Sequence, residues 1–432
     1  MFIIIRLFLL VIFSAFVLSI NASQQHTKTE EQWNEGWGDS WDTPEEQLFH
    51  GFLEFANSYW LDDKASHIDE PMQELRLRLD WDYAFDVGEL TTKTDLIHDA
   101  VIDNTDVKLR ELNYQFSPGQ STDIKLGRQI LTWGTGDLVF INDLFPKDWQ
   151  SFFMGRDDEY LKAPSDAIRF SWFGSDSNLD VVITPEFESD EYLSGERFSF
   201  YIPSIGISQP QTPIHAAQPV HRDFEFATRL FGTENGLEWA LYGYRGFYKT
   251  PKAIDNNANP YFSRLNVWGA SVRQAAFNGI VKFEIGQYLS LDDPGGHDSL
   301  VPNDEFRALI GYETELAKNL TGSFQFYLEK TQDYQSLINN SLTPEFEQRE
   351  WHTQVTARIT HQSHQQKWTN SFFVFYSPTD NDGHLRLTSD YRFNDEWKLS
   401  TGLFLFEGEK EHSFWGQLQQ NSSVWMRLRY LF

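Results

Sequence analysis

Ser423 to Phe432 reads SVWMRLRYLF, and the alternation in these closing residues decides the fold. Val424, Met426, Leu428, Tyr430 and Phe432 share one side, apolar or aromatic throughout, while Trp425, Arg427, Arg429 and Leu431 share the other. A period of two is what a strand shows when one face meets an apolar medium and the other meets water. The stretch closes on Tyr-x-Phe, and the same triplet ends earlier alternating runs at Tyr83-Ala84-Phe85, Tyr114-Gln115-Phe116 and Tyr391-Arg392-Phe393. Aromatic rings repeated at one end of several strands fit the interfacial girdle of a transmembrane barrel, because such rings settle at the headgroup level.

Upstream, Leu75 to Phe85 (LRLRLDWDYAF) sets Leu75, Leu77, Leu79, Trp81, Tyr83 and Phe85 against Arg76, Arg78, Asp80 and Asp82. The spacing of three and four that a helix needs is absent from it. Similar runs fall at 48–60, 71–86, 90–102, 106–116, 122–133, 165–174, 178–187, 223–232 and 237–249. They continue at 263–275, 279–290, 305–316, 319–331, 348–361, 367–377, 383–394, 396–407 and 421–432, eighteen in all. Links from odd to even runs are mostly long, notably 134–164 and 188–222. Links from even to odd runs are short and often turn-rich, as in Asp86-Val87-Gly88-Glu89 and Ser117-Pro118-Gly119-Gln120. That asymmetry belongs to outer-membrane barrels, with the short side periplasmic. The fold expected is all-β, a transmembrane antiparallel β-barrel of about eighteen strands, with sixteen the other possible count. At this point the sequence resembles Gram-negative outer-membrane barrels. The resemblance implies residence in the cell outer membrane and recognition of the C-terminal strand by the barrel-insertion machinery.

Composition agrees. The chain has 432 residues, 16% aromatic, no Cys and a formal charge of −28, with a mean hydropathy of −0.48. A helical membrane protein would be far more apolar, whereas in a barrel only every second strand residue meets lipid. The absence of Cys excludes a lipoprotein anchor and structural Cys-zinc. Strong acidity argues against nucleic acid as a partner, since phosphate binding needs clustered Lys and Arg. At the N-terminus Arg6 precedes an apolar run from Leu7 to Leu18, then Ser19, Asn21, Ala22 and Ser23, which reads as a signal peptide over 1–22; the rival reading is an uncleaved anchor helix. Residues 23–47 form an acidic periplasmic leader with Trp33, Trp37 and Trp41 spaced by four. It is read as disordered, with a plug or partner-binding arm as the alternative. The barrel proper is placed at 48–432.

Two stretches carry a narrower resemblance, residues 109–149 with Leu126-Gly127-Arg128-Gln129, Trp133-Gly134 and Asn142-Asp143, and residues 304–328. They are similar to alginate-export-type porins and related barrels. The resemblance implies passive movement of solutes through a lumen and carries no catalytic residues.

Motifs for chemistry are lacking, with no zinc-protease histidine pair, phosphate-binding Gly-Lys loop or Gly-x-Ser-x-Gly elbow. Asp380-Asn381-Asp382-Gly383 reads as a tight turn rather than a calcium loop. Asp157-Asp158-Glu159 reads as a solvated loop run rather than a cation site. His352, His361, His364 and His384 have no Ser or Asp placed to define a triad. No enzyme, cofactor or metal is expected. With the apolar faces turned outward, Arg76, Arg78, Arg307, Arg358, Arg386, Arg392, Arg427 and Arg429 line the lumen, with Asp80, Asp82, Glu313 and Asp390 as acidic neighbours. They are read either as cross-strand ion pairs bracing the wall or as one basic wall that selects anions. The function expected is a porin-like channel for diffusion of small anionic solutes. The alternative is a non-conducting barrel serving as scaffold or adhesin. The loop carrying Pro203, Pro210, Pro213 and Pro219 could fold inward as a constriction, which would blur the distinction between the two.

Overall fold

The computed structural model describes residues 49–62, 68, 70–202, 205–210, 212–219 and 223–432. The expected signal peptide and leader lie outside the described residues.

Eighteen strands form one closed antiparallel sheet. They are β1 (His50–Trp60), β2 (Met72–Phe85), β3 (Gly88–Asp99), β4 (Asn104–Gly119), β5 (Thr122–Ile130) and β6 (Pro164–Phe173). Next come β7 (Asn178–Thr184), β8 (Glu225–Glu234), β9 (Leu237–Phe247), β10 (Arg264–Ala276), β11 (Gly279–Ser290) and β12 (Glu305–Ala317). The last are β13 (Leu320–Thr331), β14 (Trp351–Ser363), β15 (Trp368–Ser377), β16 (Asp382–Arg392), β17 (Trp397–Gly408) and β18 (Ser423–Leu431). Each strand pairs with its neighbours in sequence, and β18 closes on β1 from Phe52↔Leu431 to Trp60↔Ser423. Full closure leaves no end strand to aggregate. The sixteen-strand possibility is thereby set aside.

Alternation places the apolar residues outside. On β2, Leu75 and Leu79 are exposed while Glu74, Arg76 and Arg78 are buried. The Tyr-x-Phe rings gather where the short turns are, with Tyr83 against Phe85 at 4.6 Å, Phe85 against Tyr114, and Tyr391 against Phe393. Three strands stop three residues earlier than their sequence pattern suggests, β3 at Asp99 instead of 102, β5 at Ile130 instead of 133 and β7 at Thr184 instead of 187. Beyond β5 the chain turns into the lumen, where Leu131 is buried. The long loops also hold two small hairpins, at 200–208 and 253–261, and a short helix at Tyr334–Asn340.

The orientation is testable. Protease tags at Gly88 or Asn319, in the short turns, are expected to stay protected on intact cells, whereas tags at Asn256 or Asn339, in long loops, are cleaved. The opposite pattern would invert the barrel.

Candidate functional site

The lumen is occupied by the link between β5 and β6. Residues 131–163 leave β5, tour the inner wall and return to β6, held at each side by side chains far away in sequence. Glu284 on β11, almost wholly buried, accepts from the Thr135 amide at 2.7 Å and hydroxyl at 2.9 Å, and from the Asn142 amide at 2.8 Å. The Asn142 side chain also donates to the Ile285 carbonyl at 3.0 Å. Here the wall has Gly269 opposite Gly286 in register. A Cβ at Gly286 would lie 2.7 Å from Ile141, and one at Gly269 would overlap Asn142, so the paired glycines make the dent in which the segment rests. Further round, Gln325 on β13 exchanges hydrogen bonds with the Asp137 backbone at 2.7 and 2.8 Å, and Arg358 on β14 pairs with the Asp137 carboxylate at 3.1 Å.

The segment then forms one short helix, α1 (Trp149–Met154). Asp148 caps it by accepting from the Ser151 amide at 2.7 Å, and Gly155 ends it in a left-handed conformation beneath Trp425. Phe152 and Phe153 on α1 pack on Phe404, Phe406 and His384 of the inner wall and on Trp415 of the link between β17 and β18. His384 stacks on Phe406 at 4.4 Å and lies buried among aromatic rings.

After α1 the acidic run meets the arginines. Asp157 pairs with Arg427 at 3.3 Å and Arg429 at 3.4 Å, Asp158 with Arg386, and Glu159 approaches Arg78 at 3.9 Å. Tyr160 follows, its hydroxyl accepting from Arg78 at 2.7 Å and its ring covered by Arg76 and Arg110. Arg156 pairs with Glu74 on β2. The reading of 157–159 as a solvated loop run is thus corrected at Asp157, while Asp158 and Glu159 keep exposed side chains within the lumen. These carboxylates lie inside the barrel because the strand arginines offer charge-assisted hydrogen bonds that a solvent-facing loop lacks. Residues 131–163 fill the lumen, and the described part of the Pro-containing loop packs over them, with Asp190 accepting from the Lys147 amide at 2.8 Å and Trp149 Nε1 at 2.9 Å.

Seven of the eight arginines singled out in the sequence have carboxylate partners. Besides those above, Arg76 pairs with Asp95 at 2.8 Å, Arg78 with Asp95, Arg307 with Glu305 and with Glu329 at 3.2 Å, and Arg429 with Glu54 at 2.8 Å. Arg392 sits apart, exposed at the short-turn rim. Asp80 lies 3.8 Å from Arg78, and Asp390 pairs with Lys398 at 3.2 Å; Asp82 and Glu313 are exposed. Glu284, Gln325 and Arg156 were missed, and Asn142 was named only as part of a motif. The signal for an inward segment was the apolar cluster Phe152-Phe153-Met154 inside a supposed loop, since a solvated loop has no use for it. Among the described residues no group of three His, Asp or Glu is gathered to hold a metal ion.

Two loop carboxyls titrate in opposite directions. Burial alone would raise Asp157, but Arg427 and Arg429 outweigh it and hold its pKa at about 2, below the ordinary 3.8. Its stabilising contribution is present above pH 3.8 and lost as pH falls toward 2. Burial pushes Asp190 up to about 6, against the pull of Lys147. Its contribution is complete below pH 3.8 and lost as pH rises through 6. Over pH 4–7 the heat-modifiable form is expected to melt lower as pH rises, and Asp190→Asn to flatten that slope; an unchanged slope would remove Asp190 from the account.

No family model and no curated protein matches this chain. Solved structures do. Pseudomonas aeruginosa OccD3 (OpdP) aligns with 89% of this chain and 91% of its own, with a TM-score of 0.51 at 10% identity. OccK5 (OpdH) of the same organism gives 0.51 at 9% identity, covering 89% and 96%. OccK11 (OpdR), also from that organism, gives 0.50 at 10%, covering 89% and 94%. The likeness is one of fold. It is the fold of outer-membrane porins, shared along nearly the whole described barrel.

Proposed function

We propose that this chain is an outer-membrane channel of the porin type, whose solute selection is set by residues 131–163. The observation that carries this is the mode of attachment: the segment is held to the inner wall by polar side chains, above all Glu284, Gln325 and the paired arginines. An eighteen-stranded barrel is wide enough to keep an aqueous path beside such an insert. The apolar belt of exposed strand residues and the aromatic girdle support membrane embedding, with lipid and the insertion machinery as partners and small solutes as cargo. The reading is non-enzymatic. Of the pieces read as similar to alginate-export-type porins, in 109–149 and 304–328, Asn142 is one that holds the segment to Glu284, which supports the passive-channel reading.

Anionic solutes fit the guanidinium groups. With seven of those arginines already engaged by carboxylates, the anion preference is expected to be weak. Reversal potentials under a salt gradient test it. A modest anion bias is expected, and cation selectivity would overturn it. One observation favours the second reading, a non-conducting scaffold: the packing of Phe152 and Phe153 on the inner aromatic wall is that of a closed core. Single-channel recordings in planar bilayers separate the two, because a scaffold gives no unitary steps.

A further inference from the structure

We infer that the barrel wall has a lateral portal between β4 and β5, through which an anionic single-chain amphiphile passes between the outer leaflet and the barrel mouth. β4 pairs with β5 only from Leu112↔Arg128 downward. Its upper part, 104–111, pairs with β3 alone among the described residues. The two strands part above Arg128, next to Gly127, whose φ is +110° and where a Cβ would collide with the Leu112 carbonyl. On β4 the ladder with β3 slips at Arg110, so that Lys93 faces Glu111 and Thr94 faces Leu109. The bulge sends Arg110 inward, where it donates to the Glu159 and Lys162 carbonyls at 3.0 and 3.1 Å.

The open edge lies at the depth of the apolar belt. Val107 is in register with Leu96, and Leu96 with Leu77, on the outward face; Val107 is 64% exposed. An unpaired strand edge is not tolerated against hydrocarbon unless protein or water satisfies it. Protein does so in part, since Arg128 Nε donates to the Leu109 carbonyl at 2.8 Å while its Nη1 holds Glu188 at 2.7 Å and Asp166 at 3.2 Å. The remainder borders a cleft of about 950 Å³. This cleft has Val107, Leu109 and Leu112 from the lipid side of β4, and Lys108 and Arg110 from the lumen side. It reaches Asp148, Glu191 and Gln218, which also line a cavity of about 470 Å³ in the mouth. One face of β4 thus offers a surface for an alkyl chain, and the other offers Lys108, with Arg110 bound to two carbonyls beside it, for an anionic head group; of the carboxylates on the same cleft, Asp166 and Glu188 are held by Arg128 and Asp148 lies 3.9 Å from Arg156, which leaves Glu191 as the acidic group opposing it.

The inference rests on the membrane-embedded reading, and the experiment separates the two. The chain has no Cys, so single-Cys variants Val107→Cys, Lys108→Cys and Glu313→Cys can each carry one fluorophore in phosphatidylcholine vesicles bearing acyl-chain nitroxides. Val107→Cys reports embedding. Lys108→Cys is expected to be quenched several-fold more than Glu313→Cys, which faces the lumen away from the gap. Quenching of Lys108→Cys no greater than that of Glu313→Cys, with Val107→Cys quenched, would overturn the portal alone; no quenching of Val107→Cys would overturn both. On Leu112→Cys, with Lys108 retained, dodecanoate is expected to displace a nitroxide-labelled fatty acid and dodecyltrimethylammonium is not. Failure of dodecanoate to compete, or competition by the cation alone, would overturn the choice of ligand.

Discussion

Replacing residues 135–161 by a short glycine-serine linker is expected to raise single-channel conductance several-fold while the barrel still assembles. The segment carries a helix whose side chains fill a cylinder roughly 10–12 Å across, a large part of the cross-section of a barrel this size. None of its contacts belongs to the wall ladder, so removing it leaves every strand pairing intact. Arg358 and Arg386 would then lose their carboxylates and be hydrated by lumen water instead, while Arg76, Arg78, Arg427 and Arg429 keep Asp95 or Glu54, which limits the cost. The companion variant Glu284→Leu removes four hydrogen bonds to 135 and 142 and leaves the rest of the tour in place. It should give noisy, intermediate conductance. A deletion variant with wild-type conductance would show that the solute path does not pass this segment.

The second large effect concerns assembly. Substituting Tyr430 and Phe432 by serine should strongly reduce heat-modifiable protein in the outer membrane. Phe432 and Gly51 exchange two backbone hydrogen bonds of 3.1 Å at the seam, and the Phe432 ring covers Gly51 so closely that a Cβ there would lie 2.9 Å from it. Tyr430 meets Trp397 at 5.0 Å on the neighbouring strand. Two rings therefore anchor the last strand at the interface, where the closing pair has the least support from elsewhere. Wild-type amounts of folded double variant would refute this, and Leu428→Ser, which removes apolar surface but no girdle ring, is expected to be milder.

The wall was legible in the sequence because its physics is local. Alternation over ten residues says which side meets lipid, and turn residues such as Asp86-Val87-Gly88 say where the chain reverses, so the number of strands follows to within a pair without any long-range contact. The lumen was legible only by subtraction: Arg76, Arg386 and Arg427 had to face inward because their neighbours faced out. What they meet there was decided by tertiary structure. Arg427 and Asp157 are 270 residues apart, Arg386 and Asp158 are 228, and no local pattern distinguishes an acidic run that folds inward from one that stays in water. The same holds for the gap beside β4. Gly127 was visible as part of a motif, but its left-handed conformation and the missing pairing above it exist only once β5 has turned away. Sequence by itself determined the face each strand residue takes, since that depends on its immediate neighbours and the solvent. Tertiary structure alone decided which charges cancel and where the wall opens, since both depend on residues brought together only when the barrel closes.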